Sequence, residues 1–318
     1  MPHSRRDFLA ASAAAATAAA LGRPLSAFAA RAQQQQAPQP VFTPLRRNVG
    51  TFTMRGGTIG WLVNSRGVAV VDTQFPPEAR VLLEGLQSRS KNRGVDLLIN
   101  THHHGDHTGG NGVFRGVARK VVAHGMADQH MRRGPGPQQP AQAPAPGTPE
   151  QLYADTTFTH TWSADLGDER IVARHHGRGH TSGDAVITFE RANVAHLGDL
   201  GFHQRHPVVD RAAGASMRNW ARLLDHVVKA HTRDTIYIFG HANTGLPVTG
   251  SSVEVLKFRD YLTAVVTFAE RQVAAGKSRD EVLAMREPLA GFEAWGPFGQ
   301  SNARDPLTVA YEEVTTGS

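Results

Sequence analysis

Short apolar runs rich in β-branched residues alternate along this chain with longer segments of helical spacing. Three short runs separated by glycine-containing turns predict a β-meander over Val49–Arg55, Thr58–Asn64 and Val68–Thr73. Pro76–Ser90 predicts a helix, because a proline lies in its first turn and its leucines recur at helical spacing. The apolar run Val95–Asn100 then predicts a buried strand.

The same alternation continues to the C-terminus. A strand is predicted at Val117–His124, and helices at Met126–Arg133, Met217–His231 and Val253–Ala275, with shorter helical patterns after them. Further strands, of which the last is Thr235–Phe239, are predicted at Thr156–Trp162, Arg170–Arg174, Ala185–Glu190, Asn193–Leu197 and Thr235–Phe239. Strands and helices thus alternate twice, which indicates an α/β protein with two packed sheets flanked by helices.

A segment rich in proline, glutamine and alanine, Gly134–Glu150, interrupts the middle of the chain. Such a composition forms no packed core, so it predicts a loop, at a position that suits a lid. Candidate ligands, described below, come from both sides of it. We therefore expect one catalytic domain over residues 41–318, with helices of unassigned role in residues 250–318.

The N-terminus has the pattern of an export signal. Ser4–Leu9 resembles the twin-arginine signature, and the alanine-rich stretch Leu9–Leu21 follows it. Ala27–Ala29 and Ala30–Ala32 both fit a cleavage site, and Gln33–Pro40 is typical of a disordered lead-in. The twin-arginine machinery exports folded proteins, so we expect it as a partner and expect a periplasmic or secreted enzyme.

Composition limits the chemistry of any site. The chain has no cysteine, which excludes disulfides and thiolate ligands, whereas its 17 histidines are numerous. Half of the formal net charge of +6 lies in the first 32 residues, and no dense basic run predicts nucleic-acid binding. After the leader, no apolar run reaches the roughly 20 residues that span a bilayer.

The most informative segment follows the strand at Val95–Asn100. In an extended chain residues i and i+2 point the same way, so His102 and His104 can bind one ion from one side. A turn at Gly105 would bring Asp106 and His107 toward a second ion. Histidines this close together repel one another when protonated and are costly to bury when neutral, unless they bind something. A metal site is therefore predicted.

This run of histidines and aspartate resembles the signature of the metallo-β-lactamase superfamily, and later segments match the family in its order. The segments that carry the resemblance are Val70–Asp72, His102–Asn111, Gly179–Asp184, His196–Leu200 and Phe239–His241. It implies the metallo-β-lactamase fold, in which two mixed sheets are flanked by helices in four αββα layers. Asp72 is then expected to support the ligands from behind.

The resemblance also implies two metal ions, Zn²⁺ with Fe or Mn as alternatives. The implied ligands are His102, His104 and His180 for metal one, Asp106, His107 and His241 for metal two, and Asp199 between them. It further implies that hydroxide held by the ions attacks a small acyl substrate, with Asp106 orienting it. Asp199 favours the thioester and lactone hydrolases of the family, whereas export favours the β-lactamases.

Other readings stay open. The same ligands with one iron resemble the family's persulfide dioxygenases, and phosphodiester hydrolysis or a metal-binding role without catalysis are further alternatives. Arg205 is a candidate partner for a substrate carboxylate and equally a surface residue. We expect supporting or structural roles for His103, His124, His175 and His176, of which His103 faces away from the metals.

Overall fold

A computed structural model describes residues 39–134, 147–298 and 303–317. The predicted export signal and residues 135–146 of the predicted lid lie outside these ranges. Residues Pro40–Ser318 belong to one compact unit. Within the described part of the chain, no helix is both long and apolar enough to cross a membrane.

The first sheet has seven strands in chain order, each paired with the next. These are β1 (Val41–Pro44), β2 (Val49–Thr53), β3 (Ile59–Val63), β4 (Val68–Val71), β5 (Val95–Asn100), β6 (Ala118–His124) and β7 (Thr156–Phe158). Strands β2 to β4 form the predicted antiparallel meander, and β1 adds an antiparallel strand that the sequence did not predict. From β4 to β7 the pairing is parallel, so the carboxyl ends of these strands lie at one edge.

The second sheet has six strands in the order β15-β13-β11-β10-β9-β8. They are β8 (Thr161–Leu166), β9 (Glu169–Arg174), β10 (Val186–Phe189), β11 (Val194–His196), β13 (Ile236–Ile238) and β15 (Thr249–Gly250). Beside it, β12 (Phe202–His203) pairs in parallel with β14 (His241–Ala242). Strands β11 and β13 are also parallel, so their carboxyl ends lie side by side.

Seven α-helices lie within the described residues. They are α1 (Pro76–Ser90), α2 (Gly105–Thr108), α3 (Gly125–Arg133), α4 (Met217–Lys229), α5 (Ser252–Ala274), α6 (Arg279–Leu283) and α7 (Pro306–Thr316). Five of them, α3 to α7, have a side-chain cap in the first turn; α5, for instance, begins with a capping box between Ser251 and Glu254.

The side chains of β4 show how the layers form. Val68 and Val70 pack in a cluster with Leu82 of α1, whereas Ala69 and Val71 pack in the cluster between the two sheets. Residues of α4, α5 and α7 cover the other face of the second sheet. Helix, sheet, sheet and helix thus form the predicted αββα sandwich.

Two strand predictions were wrong. The run Thr156–Trp162 is not one strand, because β7 ends at Phe158 in the first sheet and β8 begins at Thr161 in the second. Thr235–Phe239 is not the last strand, since β14 and β15 follow it. No glycine or proline marks the first break, and two-residue strands have no periodicity to detect.

The C-terminal helices are anchored on the second half of the sandwich. Glu313 of α7 is buried, and its carboxylate accepts hydrogen bonds from the backbone N–H groups of Met217 (2.9 Å) and Arg218 (3.3 Å). These N–H groups lie in the first turn of α4, where they have no partner within the helix and where the dipole favours a negative charge. Helix α7 therefore caps α4.

Candidate metal centre

The seven predicted ligands lie in the segments that follow β5, β9, β11 and β13. Strands of both sheets end at this place, so residues far apart in the sequence converge there. His102 and His104 follow β5 directly, and α2 turns the chain so that Asp106 and His107 face the same space. Helix α2 makes this turn. Gly105 does not have a left-handed backbone, and a Cβ added to it would lie in open space, so the turn does not require a glycine there.

The first group contains the three histidines predicted for metal one. His180 Nε2 lies 2.8 Å from His104 Nδ1 and 3.4 Å from Asp199 Oδ2. His102 Nε2 lies 3.8 Å from the same oxygen. One ligand atom from each of these four side chains lies within 4.8 Å of all the others, a spacing that one ion can span.

The second group contains the residues predicted for metal two. His241 Nε2 lies 3.2 Å from Asp106 Oδ2 and 3.4 Å from His107 Nε2. His107 Nε2 lies 3.9 Å from the same oxygen of Asp106. One ligand atom from each of these three side chains likewise lies within 4.8 Å of the other two. Asp106 is the most exposed of them, with 31% of its side chain accessible.

Asp199 connects the two groups. Its Oδ2 faces the first group, whereas its Oδ1 lies 2.9 Å from His107 Nε2 and 3.3 Å from His241 Nε2. The residue is buried and follows β11 in a 3₁₀ turn, Gly198–Leu200. Gly240 makes room for it, because a Cβ on Gly240 would lie 2.1 Å from Asp199 Oδ1. One carboxylate therefore offers one oxygen to each group.

Two buried atoms of the predicted ligands, His102 Nε2 and Asp199 Oδ1, make no hydrogen bond of good geometry among the described residues, although Asp199 Oδ1 is in ion-pair range of His107 Nε2 at 2.9 Å. Buried polar atoms are normally satisfied, so such orphans indicate a missing ligand. The donor set of five imidazoles and two carboxylates, without a thiolate, suits Zn²⁺, Fe or Mn. The residues present therefore fit divalent metal ions for two reasons: buried donor atoms lack a hydrogen bond, and the donor types are those that such ions prefer.

Hydrogen bonds behind the ligands fix which nitrogen of each histidine faces the site. Asp72 Oδ2 lies 2.8 Å from His107 Nδ1, and the Asp72 carboxylate also accepts from the backbone N–H and hydroxyl of Thr101. His180 Nδ1 donates to the carbonyl of Val208 at 2.7 Å. In both histidines Nε2 is thus left for a metal. The expected supporting position of Asp72 agrees with this geometry.

A further aspartate shapes the loop that carries His180. Asp184 accepts hydrogen bonds from the backbone N–H groups of Gly179 and Thr181 and from the hydroxyl of Thr181. Burial raises the pKa of Asp184 to about 7. His175 Nδ1 in turn donates to the carbonyl of Asp184 at 2.7 Å. The loop is therefore fixed from both sides.

The charges in the site oppose one another. Burial holds the pKa of His102 well below its usual value and lowers that of His180 to about 3. Burial also disfavours charge on His107 and His241, yet Asp199 together with Asp72 for His107 and Asp106 for His241 outweighs it: the pKa of His107 lies well above its usual value and that of His241 rises to about 9. Without an ion, protons on these histidines offset the carboxylate charge. Metal binding would release them.

The other histidines that the sequence singled out lie outside the two groups of predicted ligands. His103 Nε2 is 3.8 Å from Asp210 Oδ2, and its ring centroid is 4.8 Å from that of His130. His124 stacks on His175 at 4.1 Å between ring centroids. His176 is partly buried, and burial lowers its pKa to about 4.

Arg205 and Asp210 lie in the segment that follows β12. Arg205 is exposed, and it has no hydrogen bond or ion pair within the described ranges. Asp210 was missed by the sequence analysis, although its Oδ2 lies 2.9 Å from His104 Nε2. A single aspartate in a loop carries no local pattern that could have identified it.

Comparisons with known proteins identify the family. The model of the metallo-beta-lactamase superfamily matches residues 53–241, which is more than half of the chain. The chain therefore belongs to the metallo-beta-lactamase superfamily. Its residues 2–22 match the twin-arginine translocation pathway signal sequence, which indicates export across the membrane to the periplasm or beyond.

Individual relatives are distant. The chain is 22% identical over 224 residues to a Metallo-beta-lactamase type 2 from Elizabethkingia meningoseptica, covering 65% of this chain and 80% of that one. It is 37% identical over 68 residues to a probable hydroxyacylglutathione hydrolase from Schizosaccharomyces pombe, covering 21% and 25%. The structure of a metallo-beta-lactamase from Pontibacter korlensis superposes with a TM-score of 0.56 at 17% identity, covering 71% and 99%, which supports the fold.

Proposed function

We propose that this chain is an exported hydrolase that uses two metal ions to cleave the acyl bond of a small molecule. The observation that carries the proposal is the position of Asp199, whose two oxygens face two separate groups of ligand-type side chains. A single ion would use one of these oxygens, whereas two ions would use both, one from each group. Zinc is the proposed metal, because the donors are imidazole and carboxylate and the family match is to a hydrolase superfamily.

In this proposal His102, His104 and His180 would hold one ion, Asp106, His107 and His241 the other, and Asp199 both. Bound together, the two ions would supply a water acidic enough to be a nucleophile at neutral pH and would polarise the scissile carbonyl. The protein's own groups then orient the reactants.

Asp106 is proposed as the catalytic carboxylate. It is the most exposed member of the centre, and its Oδ2 lies 3.2 Å from His241 Nε2. The neighbouring histidines overcome the effect of burial and lower the pKa of Asp106 to about 2, so the group stays an acceptor at neutral pH. An ionised carboxylate at the opening of the site can accept a hydrogen bond from a nucleophilic water and orient it.

The substrate class is proposed from two comparisons that differ. The longer similarity is to a Metallo-beta-lactamase type 2, whereas the shorter but higher identity is to a probable hydroxyacylglutathione hydrolase. Asp199 as a carboxylate between the ions favours the thioester and lactone hydrolases. A lactone and a thioester are therefore the first substrates to test, with a β-lactam as the third.

The test is elemental analysis of the purified mature protein, combined with hydrolysis of a lactone, a thioester and a β-lactam on the same sample. We expect two zinc ions per chain and turnover of at least one substrate. His180→Ala should lose an ion and turnover, whereas His226→Ala, at an exposed histidine of α4, should change neither. One iron per chain, oxygen uptake with a persulfide and no hydrolysis would overturn the proposal in favour of a dioxygenase.

A further inference from the structure

A short segment, Val208–Asp210, connects the metal-one ligands with the C-terminal part of the chain. On one side, the carbonyl of Val208 accepts from His180 Nδ1 at 2.7 Å, and Asp210 Oδ2 lies 2.9 Å from His104 Nε2. On the other side, the backbone N–H of Val209 donates to the carbonyl of Arg304 at 3.0 Å. The guanidinium of Arg304 donates to Asp210 Oδ2 at 2.8 Å.

We propose that Asp210 and Arg304 are positioning residues for His104. The C-terminal segment thereby sets the affinity for the ion that the first group of ligands would hold. This inference rests on the proposed function, in which His104 is a ligand. The family match ends at residue 241, so Arg304 lies outside it. The turn before α7 would thus have a role in the metal centre.

The role of Asp210 follows from the two nitrogens of His104. Nε2 lies against Asp210 and Nδ1 lies 2.8 Å from His180 Nε2, toward the common centre of the first group. A carboxylate that accepts the Nε2–H fixes the tautomer in which Nδ1 has a free lone pair, fixes the ring orientation, and makes Nδ1 a better donor to a metal.

The role of Arg304 follows from the burial of Asp210. Only 4% of the Asp210 side chain is exposed, whereas 33% of the Arg304 side chain is. A buried carboxylate with no cation beside it is costly, and it would turn toward solvent or toward the metal itself. The guanidinium of Arg304 keeps it charged and directed at His104.

A third metal ion is the competing explanation, because His103, His104 and Asp210 also offer atoms within 4.8 Å of one another. Asp210 Oδ2, however, already lies close to His104 Nε2 and to the Arg304 guanidinium. A cation there would have to displace the guanidinium against charge repulsion. The contacts therefore favour a hydrogen-bonded chain from Arg304 to His104.

The test is a zinc titration of the metal-free full-length protein against a chromophoric chelator, with cobalt substitution as a spectroscopic readout. Arg304→Gln should weaken the binding of one ion by about 10–100-fold, shift the cobalt absorption bands of that ion and leave the second ion unchanged. Arg304→Lys, which keeps the charge, should recover most of the affinity. Asp210→Asn should resemble Arg304→Gln.

Arg218→Gln is the matched control, because it breaks another arginine–carboxylate pair of 2.8 Å, to Glu270, outside the site. The inference is overturned if Arg304→Gln binds both ions as tightly as this control. It is also overturned if the affinity for both ions falls equally together with a lower melting temperature, or if the unmodified protein binds three ions. Failure of the proposed function looks different, since it appears in the unmodified protein as fewer than two bound ions or as absent hydrolysis.

Discussion

Gly57 lies so close to the imidazole of His107 that a Cβ on it would come within 2.1 Å of His107 Cε1. The glycine is fixed there by hydrogen bonds, since its N–H donates to the carbonyl of Asp106 at 3.0 Å and its carbonyl accepts from Gln74 at 2.6 Å. The loop between β2 and β3 is thus fitted directly against the ligands of the second group.

Replacing this glycine should therefore damage the site. Gly57→Ala should lower the free energy of unfolding by about 1–3 kcal/mol, as overpacking does. It should also weaken the binding of the ion that the second group would hold. Thermal unfolding and zinc titration measure the two effects. Gly105→Ala is the control within the histidine motif, because no atom lies within 4 Å of its added Cβ. Equal behaviour of the two variants would contradict the close packing.

Asp72 is expected to control the tautomer of His107. Asp72→Asn preserves the shape and tolerates the left-handed backbone at this position, where φ is +66°, so it changes mainly the charge. We expect about 10–100-fold weaker binding of the second ion, measured by chelator competition. Asp155→Asn alters a carboxylate that accepts a backbone N–H in the same sheet, and it should bind zinc normally. An unchanged affinity in Asp72→Asn would remove the supporting role.

Asp199→Ala tests the carboxylate between the two groups. Bound metal should fall from two toward one ion per chain, and turnover should fall by more than the roughly 100-fold typical of losing a residue that only supports a ligand. Elemental analysis and steady-state kinetics provide the measurements. Asp225→Ala, on α4 and paired with Arg259, serves as the control. Two ions retained in the Asp199 variant would be incompatible with a bridging role.

His103 is expected to be dispensable for metal binding despite its position between two ligands. His103→Ala should keep nearly the full metal content, because its nearest carboxylate contact is Asp210 at 3.8 Å rather than Asp199. His104→Ala, one residue away, should lose an ion. The comparison is made by elemental analysis after dialysis, and loss of an ion from the His103 variant would show that the ligands were assigned in the wrong register.

His124 predicts a pH dependence that does not involve the metals. Its Nδ1 accepts from the backbone N–H of Met126 at the start of α3, while Nε2 donates to the carbonyl of Thr159. Burial, with help from His175, lowers its pKa from 6.5 to about 4. Between these values the unfolded chain binds the proton and the folded protein does not, so this stability is present above about pH 6.5 and is lost toward pH 4.

The measurement is urea unfolding of the metal-free protein from pH 4 to 7. His124→Asn keeps a side chain that caps helices well but does not titrate, so its stability should fall less steeply with acidification than that of the unmodified protein. His226→Asn, at an exposed histidine, should follow the unmodified protein. Parallel curves for all three proteins would show that His124 does not contribute.

Sequence patterns predicted the layers of the fold and the residues that the structure brings together, because both depend on local signals. The strand alternation indicates two sheets, and four of the seven predicted ligands lie within His102–His107. Asp210 and Arg304 could not be predicted in this way. Asp210 reaches His104 across 106 residues, and Arg304 reaches Asp210 across 94, so each contact exists only after the sheets and helices have packed.

The strand errors have a related cause. The chain passes from one sheet to the other between Phe158 and Thr161, and both sides of this break have β-propensity. Only the available pairing partners decide that β7 joins β6 and β8 joins β9. Likewise β14 forms because it lies beside β12, a tertiary circumstance that two residues cannot encode.

The position of Asp199 between the two groups determines when, during synthesis and folding, the set of donors is complete. His107 and His241 meet beside it although 134 residues separate them along the chain. A nascent chain on the ribosome can offer the histidines after β5, but the full donor set exists only once the second sheet has been synthesised and has docked. Because the twin-arginine route carries folded proteins, the donors are complete before the membrane is crossed. In the proposed function, the compartment in which the chain folds, rather than the one in which it works, would then determine which metal it receives.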